Sequence, residues 1–235
     1  MIIYGRNPVR EALRGPRTVG RIWATKNTLR EPWLPGRGGD PAAGTPTPET
    51  ATAEEVERIC GSPDHQGICA EVSSFRYADA DALLQAAQGP LVALDQIQDP
   101  QNLGAICRSA ECAGAAGVVL PERRAAEVTA AVCKASAGAV EHLPVARVRN
   151  LADFLLEAKT AGRWCYGAQA GAPRSYDTVD FSGPVVLVLG SEGRGLRPRV
   201  AAACDELVSI PLRGRIESLS VSAAAAVLLY AAATR

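Results

Sequence analysis

The chain has 235 residues, long for one small domain and suited to two compact ones. At 47% hydrophobic and 21% charged, its composition is that of a folded globular protein and excludes a solvated, disordered chain. The 25 basic and 25 acidic residues cancel, which excludes a protein that coats nucleic acid indiscriminately but leaves room for a local basic patch.

The basic residues are nearly all arginine, with lysine only at Lys26, Lys134 and Lys159. Arginine suits two-pronged phosphate contacts, although biased genomic base composition accounts for it equally well. Seven cysteines accompany two histidines, His65 and His142, without a C-x-x-C pair, so no metal site is expected. Cys107 and Cys112 lie in an apolar helical stretch and are expected to be buried thiols. No long apolar run opens the chain, and the apolar stretch from Val221 to Ala233 is too short to span a bilayer. A cytoplasmic protein without membrane contact is the expectation.

In chain order, Y-G-R-N-P-V-R-E-A-L predicts a helix capped by Asn7 with Pro8 at its first position. A strand is expected at Arg21–Thr25. From Pro32 to Thr50 the chain is rich in Pro, Gly and Thr without periodicity, which predicts a flexible loop. Thr52 and Glu55 have capping-box spacing for a short helix to Cys60, and a strand follows from Ile68 to Ser73. These elements form a first domain, 1–75, and a linker with a short helix covers 76–89. From Pro90 to Arg235, apolar runs alternate with helical segments. Strands are expected at Leu91–Asp95, Gly117–Leu120, Leu143–Val148, Trp164–Ala168, Val185–Gly190 and Leu207–Leu212. Helices are expected at Leu103–Ala115, Ala125–Ala139, Leu151–Thr160 and Pro198–Ala203, with a last one from Leu219. Continuous apolar strands separated by helices predict an α/β domain with a parallel sheet covered on both faces. Ligands of such sheets bind beyond the carboxyl ends of the strands.

Three loops at those ends carry the candidate chemistry. In the first, Asn102 is placed to cap a helix whose buried stripe is Leu103, Ile106, Ala110 and Ala113. Arg108 falls on the other side, one turn after Gly104, a glycine that would let a backbone or a substrate approach. Spacing alone reads equally well as a solvated arginine beside a packing glycine. In the second loop, a strand runs into L-G-S-E-G-R-G with Gly190, Gly193 and Gly195. The order is neither G-x-G-x-x-G nor a P-loop. Glu192 would repel a phosphate and suits a hydroxyl or cationic ligand, while a plain strand-to-helix turn is the alternative. The third loop follows Ile210-Pro211-Leu212 and holds Arg213 and Arg215, with Ser218 as a natural cap for an all-apolar, buried last helix.

Together and in this order, the three loops resemble the SpoU (TrmH-like) class of RNA 2'-O-ribose methyltransferases. The likeness rests on Asn102, Gly104, Arg108 and Ala110; on L-G-x-E-G-x-G from Leu189; on Ile210 to Ala224; and on A-S-A-G-A-V-E from Ala135. Ser220 stands where the class usually has asparagine. The ends of the first domain, Y-G-R-N-P-V-R-E-A-L and H-Q-G-I-C-A-E-V, are similar to the ribosomal protein L30e-like RNA-binding domain of bacterial 23S rRNA guanosine methyltransferases, from which the stretch Pro32–Thr50 departs.

The resemblance implies a small L30e-like α/β domain followed by a SPOUT domain whose C-terminus forms a trefoil knot. It also implies a homodimer acting on RNA, ribosomal RNA first and transfer RNA as the alternative. S-adenosylmethionine would be held around Leu189, Gly190, Gly195, Ile210, Leu212 and Leu219. Arg108, Asn102, Glu192 and Ser218 would serve the reaction, and Arg194, Arg213 and Arg215 would contact RNA. Because a guanidinium is a poor base, Arg108 is expected to grip a phosphate and stabilise charge, leaving the proton to phosphate, Glu192 or water. A noncatalytic RNA-binding homologue is the rival that Ser220 keeps open.

Overall fold

A computed structural model describes residues 1–35, 46–85, 89–216 and 218–233. In chain order the elements are β1 (Ile2–Tyr4), α1 (Arg6–Arg14), β2 (Val19–Ala24), β3 (Glu49–Thr50), α2 (Ala53–Cys60) and β4 (Ile68–Val72). There follow α3 (Ala80–Leu84), β5 (Leu91–Asp95), α4 (Pro100–Cys112), β6 (Gly117–Pro121), α5 (Ala130–Ala135), β7 (Val145–Val148), α6 (Leu151–Thr160) and β8 (Trp164–Ala168). The chain continues with β9 (Arg174–Ser175), β10 (Val185–Gly190), α7 (Pro198–Ala203), β11 (Glu206–Ser209) and α8 (Val221–Ala233).

Two compact units result, one of residues 1–76 and 128–142, the other of residues 77–127 and 143–235. Segment 128–142 lies inside the second domain in sequence, yet it packs with the first unit. Its anchor is a buried ion pair, Arg17 with Glu141, whose side chains are 5% and 0% exposed. Arg17 Nε donates to Glu141 Oε2 at 2.8 Å, a second guanidinium nitrogen meets Oε1, and Nη1 donates to the Ser73 carbonyl at 3.4 Å. Burial alone would lower the Arg17 pKa, but the Glu141 carboxylate raises it above the ordinary arginine value. The first unit's sheet runs β1-β4-β2-β3, with β4 antiparallel to both neighbours and β3 parallel to β2.

The second unit has a seven-stranded parallel sheet in the order β7-β6-β5-β10-β8-β11-β9. Strands β5 and β6 are buried at every residue, as apolar strands covered on both faces must be. Leu91, Leu151, Leu155 and Leu187, all fully buried, are among the side chains that fill the core. Each contributes about 1.5–3 kcal/mol by leaving water.

Several expected boundaries move for identifiable reasons. Helix α1 begins at Arg6 because Gly5, at φ 98°, turns the chain there, so Asn7 is inside the helix and not its cap. The capping box of α2 forms as expected, with Glu55 N–H on the Thr52 hydroxyl at 3.2 Å and Thr52 N–H on the Glu55 carboxylate at 2.8 Å. The loop expected over Pro32–Thr50 ends in strand β3, and its residues 36–45 lie outside the described ones. The helix expected over Ala125–Ala139 shrinks to α5, because Ala137 (φ 51°) and Gly138 (φ 88°) take left-handed backbone angles. Strand β11 stops at Ser209, before the proline. Cys107 is buried, but Cys112 is exposed because it sits on the outer face of the last turn of α4.

Candidate active site

Parallel pairing of β5 with β10 places Asp95 opposite Gly190, so the loops that leave these strands emerge side by side. The turn after β10 folds on itself: Gly195 N–H donates to the Ser191 carbonyl at 2.9 Å. A Cβ on Gly190 would lie 2.1 Å from the Gly195 carbonyl carbon, which is why this position has no side chain. Gly193 and Gly195 have φ of +77° and +66°, the left-handed region open to glycine at least cost.

This turn forms one wall of a cavity of about 360 Å³, within the range of about 300–1,000 Å³ common for small-molecule sites. Leu189, Gly190, Gly195, Ile210, Leu212 and Leu219 all line it, and so do Glu192 and Ser218. Val208 and the stretch Ala168–Ala170 complete it, residues that sequence reasoning missed. Their only signal was position at the carboxyl ends of β8 and β11. A second cavity of about 330 Å³ adjoins the first and shares Ser191, Glu192 and Val221 with it. Its other wall is the loop after β5, with Gln96, Asp99 and Asn102, and Arg194 also lines it.

The remaining expected residues stand apart. Arg108 is exposed on α4 and lines neither cavity, whereas Gly104 is buried with Leu103 and Cys107 on the packed face. Gly104 and Arg108 therefore do not share an environment. Arg213 and Arg215 are exposed on the loop before α8 and also line neither cavity. Asn102 does not cap α4. That helix starts at Pro100, and Asp99 accepts the Gln101 N–H at 2.9 Å, so Asn102 sits in the first turn facing the second cavity. Nor does Ser218 cap α8. The Ser220 hydroxyl accepts the Ala223 N–H at 3.2 Å, and the Glu192 carboxylate accepts the Val221 N–H at 3.4 Å. A carboxylate at a helix N-terminus is favourable, and this one ties the glycine-rich turn to α8. Capping explains why serine serves at position 220, since serine and asparagine cap comparably.

Helix α8 packs against α4 and β10. It is not buried all round as its composition suggested. Val221, Ala225, Leu228, Leu229 and Ala232 are buried, but Val227 is half-buried and Tyr230 is 51% exposed. Burial pushes the Cys165 and Cys204 thiols of this unit up to about 12, so neither is a nucleophile at neutral pH. Among the described residues no group of three or more His, Cys, Asp or Glu could hold a metal, and no helix is long and apolar enough to cross a membrane.

The first unit has its own groove, of about 710 Å³, where Arg6, Lys26, Thr28, His65 and Gln66 converge from the ends of β1, β2 and β4.

The fold and site define a parallel-sheet α/β protein with a ligand-sized cavity at the carboxyl edge of its sheet, closed by the loop before the last helix. Comparison with known families makes the assignment specific: the SpoU rRNA methylase family model matches residues 89–230, and the model for RNA 2'-O ribose methyltransferase substrate binding matches residues 2–78. The chain belongs to the SpoU/TrmH family of RNA methyltransferases. It is 37% identical to YacO of Bacillus subtilis, named for the TrmH family of tRNA/rRNA methyltransferases, over 97% of this chain and 93% of that protein. It is 42% identical to an uncharacterized tRNA/rRNA methyltransferase of Mycobacterium avium, over 97% of this chain and 75% of the relative. The AdoMet-bound rRNA methyltransferase from Sinorhizobium meliloti has a similar structure, with a TM-score of 0.79 at 26% identity, over 98% of this chain and 85% of that one.

Proposed function

We propose that this protein transfers a methyl group from S-adenosylmethionine to a ribose 2'-hydroxyl of RNA, a guanosine of 23S rRNA being the first candidate. The observation that carries the reading is the shared cavity. Six residues named from sequence as cofactor-binding line one space with Glu192, and Asn102 lines the space beside it. The apolar side chains of Leu189, Val208, Ile210 and Leu212 suit an adenine ring, and the open backbone of the turn offers hydrogen-bonding groups. When bound, S-adenosylmethionine supplies an electrophilic methyl on a positively charged sulfur, and a carboxylate such as Glu192 suits that charge. The AdoMet-bound relative supports the same cofactor.

In this reading the second cavity receives the target ribose, oriented by Asn102 and Arg194. Arg108 is exposed and free to meet the adjacent phosphate, where it offsets charge growing on the 2'-oxygen. Arg213 and Arg215 extend the RNA surface, and the groove of the first unit takes a further part of the substrate. The segment after β11 threads to form a knot. Two copies join over the half-open apolar face of α8 around Val227 and Tyr230; a monomer in sedimentation equilibrium would sink that assembly. The enzyme works in the cytoplasm on ribosomal RNA. The relatives' names also contain tRNA, which keeps transfer RNA as the second reading.

Radiolabelled S-adenosylmethionine incubated with separated, unmodified rRNA and tRNA pools tests this directly. Alkali-resistant label in large-subunit rRNA is the expected result, label in tRNA alone replaces the substrate, and no label in either overturns the activity. Arg108→Ala should lower kcat by at least about 100-fold while leaving cofactor affinity intact; a parallel loss of cofactor binding would remove its proposed role. Glu192→Gln keeps an oxygen for the Val221 N–H, so α8 should stay docked. If Glu192 takes the proton, the acid limb of the pH–rate profile disappears in this variant. An unchanged profile assigns the proton to phosphate or water.

A further inference from the structure

Asp95 ends the apolar strand β5, and its side chain is 0% exposed. Both of its oxygens are engaged by one residue. Arg197 donates its backbone N–H to Oδ2 at 2.8 Å and its Nε to Oδ1 at 2.7 Å, and its Nη2 lies 2.7 Å from the same Oδ1. A buried carboxylate is retained only where its partners compensate desolvation, and this one is compensated at a particular place. Asp95 is the root of the loop carrying Gln96, Asp99 and Asn102, while Arg197 is the far end of the turn carrying Ser191, Glu192 and Arg194. Those two segments are the facing walls of the second cavity. The residue after Asp95, Gln96, has φ of 62°, a left-handed conformation costing about 1–2 kcal/mol that the surroundings must hold in place.

We propose that Asp95 and Arg197 form a latch that fixes the separation of the two loops, and are thereby positioning residues for methyl transfer. Neither needs to touch a reactant. The latch sets where Asn102 stands relative to Glu192, and so where an acceptor in the second cavity meets a donor in the first. The catalytic half of this inference rests on the proposed function; the mechanical half does not.

Three variants separate the bonds. Asp95→Asn keeps one acceptor oxygen, sets an amide N–H against a donor of Arg197 in the other half, and removes the charge from both. Arg197→Ala keeps only the backbone bond. Arg197→Lys keeps the backbone bond and one charge contact. The expected kcat at saturating cofactor and RNA falls about 100-fold in Asp95→Asn, as misplacement near 1 Å does, less in Arg197→Ala and least in Arg197→Lys. Amide hydrogen exchange should quicken at 96–102 and 191–195 in Asp95→Asn, with β6 and β7 unchanged. Unchanged exchange in both loops, or wild-type kcat in Asp95→Asn, overturns the latch. A uniform rise in exchange over the whole sheet also overturns it, leaving only a general structural role. A wild-type protein that methylates no RNA removes the proposed function, and the exchange pattern then decides the latch alone.

Discussion

Gly190→Ala is expected to weaken S-adenosylmethionine binding by at least about 100-fold, or about 2.8 kcal/mol, in equilibrium dialysis. The added Cβ would lie 2.1 Å from the Gly195 carbonyl carbon, 2.3 Å from its oxygen and 2.4 Å from the Leu196 nitrogen. All three are backbone atoms with no rotamer to yield. The turn must open, which breaks the Gly195–Ser191 hydrogen bond and moves the cavity wall that bears Glu192. Gly193→Ala is the control, since a Cβ there meets nothing within 4 Å and only the φ of +77° resists it. That variant should lose about 1–2 kcal/mol in strain and keep most of its affinity. Equal losses in the two variants would mean that backbone strain, not the closed turn, governs the site.

The largest effect on stability is expected at Glu141. Replacing it with glutamine leaves the Arg17 guanidinium buried without its counter-charge, at a cost of about 3–5 kcal/mol. For a domain holding about 5–15 kcal/mol in total, urea should then unfold the first unit well before the second. The paired replacement of Arg17 by methionine and Glu141 by leucine should recover much of the loss, because no charge remains to desolvate. If the single and double variants melt alike, the pair contributes packing and not charge compensation.

Much of the second unit was legible in the sequence because period and burial coincide there. Strands such as Leu91–Asp95 and Val185–Gly190 are apolar over nearly their whole length, and helices α6 and α7 begin at their expected residues because Asn150 caps one and Pro198 opens the other. The starts of α4 and α8 moved because two capping residues compete within a few positions. Asp99 displaced Asn102 and Ser220 displaced Ser218, and only the completed backbone decides between such neighbours. Segment 128–142 was illegible for a different reason: its attachment uses contacts distant in sequence, such as the Arg17–Glu141 pair formed over 124 residues of chain, which no local pattern records. The cavity residues Ala168 and Val208 are ordinary strand residues made special by strand order. Asp95 did leave a trace, a lone carboxylate ending a fully apolar strand.

The build of the first unit also bears on synthesis. A ribosome delivers the chain from the N-terminus, and residues 1–76 emerge without the piece that completes them. Arg17 then waits for Glu141 until β5, α4 and β6, two strands of the other sheet and the helix between them, have been synthesised, with β7 still to follow. Synthesis of this protein is therefore interleaved: the first unit can close only after part of the second has been made.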